Sequence, residues 1–120
     1  MKYRTVALTA VLLATAAMKV GGREVVEIRL IGHYYAEPAT VQIVIAVEPD
    51  QANRTLRIEA DGDQLYRSTE VTLEGQSEKR LHNVEFKNLP AGSYEVRAEV
   101  LSSASSVRGM AIQELEVMGH

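Results

Sequence analysis

A chain of 120 residues with 46% hydrophobic residues, a formal net charge of −3 and no cysteine has the size of one domain, with at most a processing segment attached. Its sixteen acidic and thirteen basic residues are interspersed, with no Lys/Arg block in the body of the chain, which argues against counterion-release binding to nucleic acid and against anionic membrane surfaces. The lack of cysteine excludes disulfides, thiolate metal sites, thiol chemistry and attachment through a lipidated N-terminal cysteine.

The N-terminus reads as a processing segment. Met1-Lys2-Tyr3-Arg4 is a short basic start, and Thr5 to Ala17 (TVALTAVLLATAA) is uncharged and mostly apolar. Ala14-Thr15-Ala16 supplies the small-x-small pattern that signal peptidase accepts, with Thr15 and Ala17 as a second option. The apolar run, about 13 residues, falls short of the ~20 needed for a membrane-spanning helix. Residues 1–17 are therefore expected to be a cleaved secretory signal, and residues 18–120 a single domain with no membrane span in the mature form. Loss of Lys2 and Arg4 leaves sixteen acidic against eleven basic residues, a net charge of about −5. A domain of about 100 residues can bury roughly two-thirds of its unfolded surface, enough for one modest core.

From residue 24 onward the dominant period is two, the signature of half-buried strands. Val26, Ile28 and Leu30 alternate with Glu27 and Arg29. Val41, Ile43, Ile45 and Val47 form the cleanest inward face, and Val44 and Ala46 on the other side mark that strand as central. Leu56, Ile58 and Ala60 follow, then Val71 and Leu73, then His82, Val84 and Phe86, then Tyr94, Val96, Ala98 and Val100. The last run changes parity between Met110/Ile112 and Leu115/Val117, so a β-bulge is expected near Gln113-Glu114 to bring both pairs into the core. Turn signals separate the runs at Glu48-Pro49-Asp50, Asp61-Gly62-Asp63, Glu74-Gly75-Gln76, Leu89-Pro90-Ala91-Gly92 and Ser102 to Ser106. Seven strands with short turns and no helical period predict an all-β fold, a seven-stranded antiparallel two-sheet sandwich.

Leu89-Pro90-Ala91-Gly92-Ser93-Tyr94 explains how one strand ends and the next begins. Pro90 fixes its own φ, Gly92 permits a φ that other residues resist, and Tyr94 fills the end of the core with its ring. The Tyr94 hydroxyl is then placed to bond main chain a few residues upstream, as in a tyrosine corner. Val84-x-Phe86-x-x-Leu89-Pro90-Ala91-Gly92-x-Tyr94-x-Val96 resembles the loop and following strand of fibronectin type III and other bacterial immunoglobulin-like modules. It is nearly as similar to the element found in transthyretin-like, carboxypeptidase-regulatory and collagen-adhesin B-type repeats. The resemblance implies an immunoglobulin-like sandwich used for binding, spacing or assembly. The chain lacks the tryptophan and cysteine pair of antibody domains, and Lys19, Lys79 and Lys87, the only lysines past the signal, do not match the setting of an isopeptide-forming lysine.

The most site-like stretch is His33-Tyr34-Tyr35, followed by Glu37, where adjacent rings and a carboxylate can stack a sugar or grip a peptide. The structural alternative has one tyrosine plug the sandwich end while the other continues the first strand. Asp61 and Asp63, with Glu59 and Asp50 nearby in sequence, offer hard oxygens for calcium, although Asp-Gly-Asp is equally a tight-turn sequence. His33, His82 and His120 are scattered, so no transition-metal site or other cofactor is expected, and His82 is assigned to a strand edge or to the core with a satisfied nitrogen. No serine stands in a nucleophile setting, Ser102 to Ser106 reading as a hairpin tip, so no catalytic residues are expected. Asn53-Arg54-Thr55 matches a glycosylation sequon, relevant only in a eukaryotic host. The expected function is that of an exported, non-enzymatic module that binds another envelope or secreted protein. The alternatives are sugar or peptide binding at His33, Tyr34, Tyr35 and Glu37, with calcium at Asp61 and Asp63 as an assisting ion, and edge-strand pairing with copies of itself.

Overall fold

A computed structural model describes residues 25–32 and 34–119. The expected signal at residues 1–17, His33 and His120 lie outside them. The described chain forms β1 (Val26–Leu30), β2 (Tyr34–Ala36), β3 (Ala39–Val47), β4 (Thr55–Gly62), β5 (Tyr66–Thr72), β6 (Leu81–Leu89), β7 (Gly92–Leu101) and β8 (Val107–Met118), with a single 3-10 turn at Gly75–Ser77. A three-stranded sheet, β1-β3-β6, faces a five-stranded sheet, β2-β8-β7-β4-β5. The fold is thus an all-β sandwich.

Alternation in sequence becomes the layer between the sheets. Val41, Ile43, Ile45 and Val47 of β3 meet Leu56, Ile58, Val96, Ala98 and Val100 from the other sheet, all fully buried. β3 lies between β1 and β6, and its opposite face is covered enough that Ala46 is buried as well. Burial of a Val, Leu or Ile side chain contributes about 1.5 to 3 kcal/mol, so these residues set the spacing and register of the two layers.

Three features differ from the sequence reading. There are eight strands rather than seven, because Tyr34–Ala36 forms a three-residue strand too short to show a period. After Leu30 the chain passes through Ile31-Gly32 and joins the other sheet. β2 thereby meets β8 in parallel, Tyr34 opposite Glu116 and Ala36 opposite Met118, where only antiparallel pairing was expected. β5 begins at Tyr66 rather than near Val71. It is a polar edge strand with no fully buried residue, so only its last apolar positions stood out.

The third difference concerns β8. Its pairing with β7 is regular from Gly92↔Val117 to Val100↔Gly109, and the irregularity falls at Arg108, not at Gln113-Glu114. Met110 and Ile112 therefore point outward with Glu114 and Glu116, while Leu115 and Val117 are buried. The cause is long-range. Val25, just ahead of β1, presses on Gly109, where an added Cβ would stand 2.7 Å from the Val25 Cβ. A side chain at Gly109 would crowd Val25, and the partly buried Ala111 follows it on the inner face.

The Leu89–Tyr94 crossing carries the chain from β6 in one sheet to β7 in the other. Gly92 has φ of +149°, a conformation that side chains disfavour. The buried Tyr94 donates its hydroxyl to the Pro90 carbonyl at 2.7 Å. Its ring lies on Gly62, where a Cβ would come within 2.6 Å of a ring carbon. Burial raises the Tyr94 pKa above the ordinary tyrosine value. At the opposite end of the sandwich, Asn53 is only 1% exposed. Its amide donates to the Glu48 carbonyl at 3.0 Å and accepts from Arg108 Nε at 3.0 Å. The sequon side chain is thus a structural clasp, with no free amide for a glycan.

Candidate functional site

Tyr34, Tyr35 and Glu37, the described members of the candidate site, do not converge. Strand alternation sends Tyr34 and Tyr35 to opposite faces of β2. Tyr35 packs against the core and its hydroxyl donates to the Gly32 carbonyl at 2.9 Å, so this ring plugs the sandwich edge. Glu37 accepts the Ala91 backbone N–H at 3.1 Å, and its own N–H donates to the Met118 carbonyl at 2.9 Å. It ties the start of β3 to the tyrosine-corner loop. Of these three, Tyr34 alone faces solvent, 75% exposed.

Asp61 and Asp63 are likewise held apart by strand geometry. Asp61 is the penultimate residue of β4, opposite Tyr66 of β5 and Glu95 of β7, whereas Asp63 is in the turn closed by the Gly62 N–H on the Leu65 carbonyl at 2.9 Å. Among the described residues no three His, Asp or Glu side chains lie close enough together to hold a metal ion. His82 is buried in β6 facing the core, and its Nε2 has no partner among the described residues, contrary to the satisfied nitrogen expected.

What Tyr34 does join is a surface along β8. An open groove of about 560 Å³ is lined by Tyr34 and by Ile112, Gln113, Glu114, Leu115 and Glu116. It forms because β2 covers β8 only at Glu116–Met118. From Val107 to Leu115 the outer edge of β8 has no strand beside it among the described residues. Three exposed apolar side chains stand on this stretch: Val107 at 53%, Met110 at 49% and Ile112 at 43%. A row of carboxylates borders it, with Asp61 opposite Glu95 and Glu95 opposite Glu114 across β4, β7 and β8. Arg97 partly offsets them through a 3.0 Å ion pair with Glu95. Elsewhere on this face Arg57 bridges Glu70 at 3.1 Å and Glu99 at 3.6 Å, and the hydrogen bond to Glu70 raises its pKa further.

The outer strands β5 and β6 are blunted. β5 carries Arg67, Ser68, Thr69 and Glu70 in its middle. The edge of β6 is capped by Arg67, whose guanidinium donates to the Lys87 carbonyl at 2.8 Å, and the strand carries the charged Glu85 and Lys87. Natural sheets protect edges with Lys, Pro, bulges or charge. Residues 109–113 of β8 (Gly-Met-Ala-Ile-Gln) have none of these. Sequence reasoning missed this surface because it assigned Met110 and Ile112 to the core. The available signal was the small pair Gly109 and Ala111 on the opposite parity.

No protein-family model matches the chain, and no curated protein is similar to it. Solved structures with the same architecture do exist. A superoxide reductase (neelaredoxin) from Ignicoccus hospitalis superposes with a TM-score of 0.61 at 13% identity, covering 85% of this chain and 86% of that one. The sulfur carrier protein SoxY from Chlorobium limicola gives 0.53 at 13% identity, over 89% and 96% of the two chains. A CARDB domain from Pyrococcus furiosus, solved with metal ions, gives 0.51 at 13% identity over 79% and 92%. At this identity the likeness shows the β-sandwich fold alone. The chain has no cysteine, and the described residues hold no cluster of three ligating side chains.

Proposed function

We propose that this protein is an exported, non-enzymatic, immunoglobulin-like sandwich module that mediates protein–protein interaction or assembly in the cell envelope or extracellular space. Its docking line is the open edge of β8. The immunoglobulin-like assignment draws support from the tyrosine corner at Tyr94 and the division of strands between two sheets. Export rests on the leader pattern of residues 1–17, and no helix among the described residues is long and apolar enough to cross a membrane. The non-enzymatic reading is supported by the placement of His82, the one described histidine, which is buried and so not at hand as a surface general base.

The observation that carries the interaction reading is the outer edge of β8 over Gly109–Gln113, which has no strand beside it among the described residues and is flanked by exposed Met110 and Ile112. An added strand gains main-chain hydrogen bonds from such an edge and specificity from alternate side chains. A photo-crosslinking residue at Ile112, introduced in the native host, is expected to give one protein adduct whose peptide is identified by mass spectrometry. The same probe at Ser68 on the β5 edge is expected to give none. Equal labelling at both edges, or none at Ile112, would overturn the docking line. A second reading, sugar or peptide binding, is favoured by the exposure of Tyr34 over the groove. It requires Tyr34→Ala to abolish binding to a glycan or peptide array while leaving the melting temperature unchanged.

A further inference from the structure

We infer that the strand completing the open edge of β8 is β8 of a second copy of this chain, antiparallel to the first and related to it by a twofold axis through Ala111. This rests on the strand-addition reading above and names the partner. The axis position follows from symmetry and side-chain chemistry. A twofold perpendicular to a sheet keeps each face on its own side, and side chains alternate between faces. Directly opposed residues must therefore have the same parity, so the axis passes through a residue rather than between two.

Few positions remain. An axis through Met110 would set Arg108 against Ile112 of the second copy. One through Ile112 would set Met110 against Glu114. One through Gln113 would oppose Ile112 to Glu114 and Met110 to Glu116, whose edge β2 already occupies. With the axis at Ala111, Met110 meets Ile112 twice on the outer face, and on the inner face Gly109 meets Gln113 while Ala111 meets its own copy. Arg108 stays with Asn53 and Asp50, and the bulge there ends the regular register at Gly109. Apolar pairs directly across an antiparallel ladder stabilise it. Without the bulged end at Arg108, the segment Gly109–Gln113 still keeps both Met110–Ile112 pairs. The product is one continuous sheet spanning both copies, with no unprotected β8 edge.

The cysteine-free chain allows a direct test. Met110→Cys and Ile112→Cys are made separately in the full 120-residue chain, both at exposed positions. Directly opposed residues lie about 4.5 to 5.5 Å apart, within disulfide reach. Identical positions in this register are offset by two residues along the strands and fall outside it. Mixing the two variants under mild oxidation is expected to give about tenfold more disulfide-linked dimer than either alone. The unmodified chain is expected to sediment at twice the monomer mass, and Ile112→Lys to sediment as a folded monomer. Linkage of Ile112→Cys to itself would overturn the Ala111 axis. A monomer at every concentration would overturn self-pairing. If that monomer's Ile112 photoprobe captures a different protein, strand addition stands and only the second copy falls; if it captures nothing, both fall.

Discussion

Tyr94 shows how much one side chain can secure. Its ring closes the core over Gly62, and its hydroxyl satisfies the Pro90 carbonyl in the loop that joins the sheets. Tyr94→Phe leaves that carbonyl without its partner and is expected to cost about 1 to 3 kcal/mol, read as a lower urea midpoint. The pH dependence has a definite sign. Burial raises the folded-state pKa of Tyr94 above its unfolded value of about 10. The group therefore contributes stability that is fully present below the unfolded pKa and is lost as pH rises through the folded one. Unfolding measured from pH 8 to beyond that range should show a steeper alkaline decline for the native chain than for Tyr94→Phe. Matching slopes would remove Tyr94 as the cause. This residue and its bond were legible in the sequence because Pro, Gly and Tyr at fixed offsets encode a local loop. Asn53 was not: noted only as a sequon, it gave no sign of burial, which the approach of Arg108 and the Glu48 carbonyl produced.

At the scale of elements, legibility followed length and neighbours. β3, β4 and β7 have long β-branched alternations, and each is flanked by strands on both sides, so their inner faces were plain from the sequence. β2 was invisible at three residues. β8 was seen but its parity misjudged, since Met110 and Ile112 are more apolar than Gly109 and Ala111. Gly109→Ala tests the reason. In an unconfined strand, exchange of Gly for Ala gains about 0.4 to 1 kcal/mol by restricting the unfolded chain. Here the new Cβ would stand 2.7 Å from Val25, so overpacking of about 1 to 3 kcal/mol is expected to prevail and lower the melting temperature. A rise in melting temperature would show that β1 yields readily and does not dictate which face of β8 turns inward.

For the whole molecule, the partition of the eight described strands into three and five leaves most of β8 without a strand on its outer side among the described residues, and the proposed twofold pairing closes that edge. Such a dimer links folding to association, so its melting temperature must depend on protein concentration. Scanning calorimetry over a hundredfold range of concentration is expected to show an upward shift of a few degrees per tenfold for the native chain and none for Ile112→Lys. A native melting temperature independent of concentration would count against the assembly. Of the described residues of the candidate site, only Tyr34 lies on this surface, because strand alternation turns Tyr35 inward and Glu37 is taken by the Ala91 N–H. Asp61 stays on a strand, Asp63 goes to the turn, and no metal-holding cluster forms among the described residues.

Sequence by itself determined the all-β class, the central place of β3, the crossing at Leu89–Tyr94 and the tyrosine bond that closes it. Each depends on periodicity or on residues a few positions apart. Tertiary structure alone decided that β2 joins β8 in parallel, that Met110 and Ile112 face solvent, and that no other described strand lies along the outer edge of β8. Alternation divides a strand into two faces without saying which one is covered. That choice was made by Val25, more than eighty positions away in the chain, lying against Gly109.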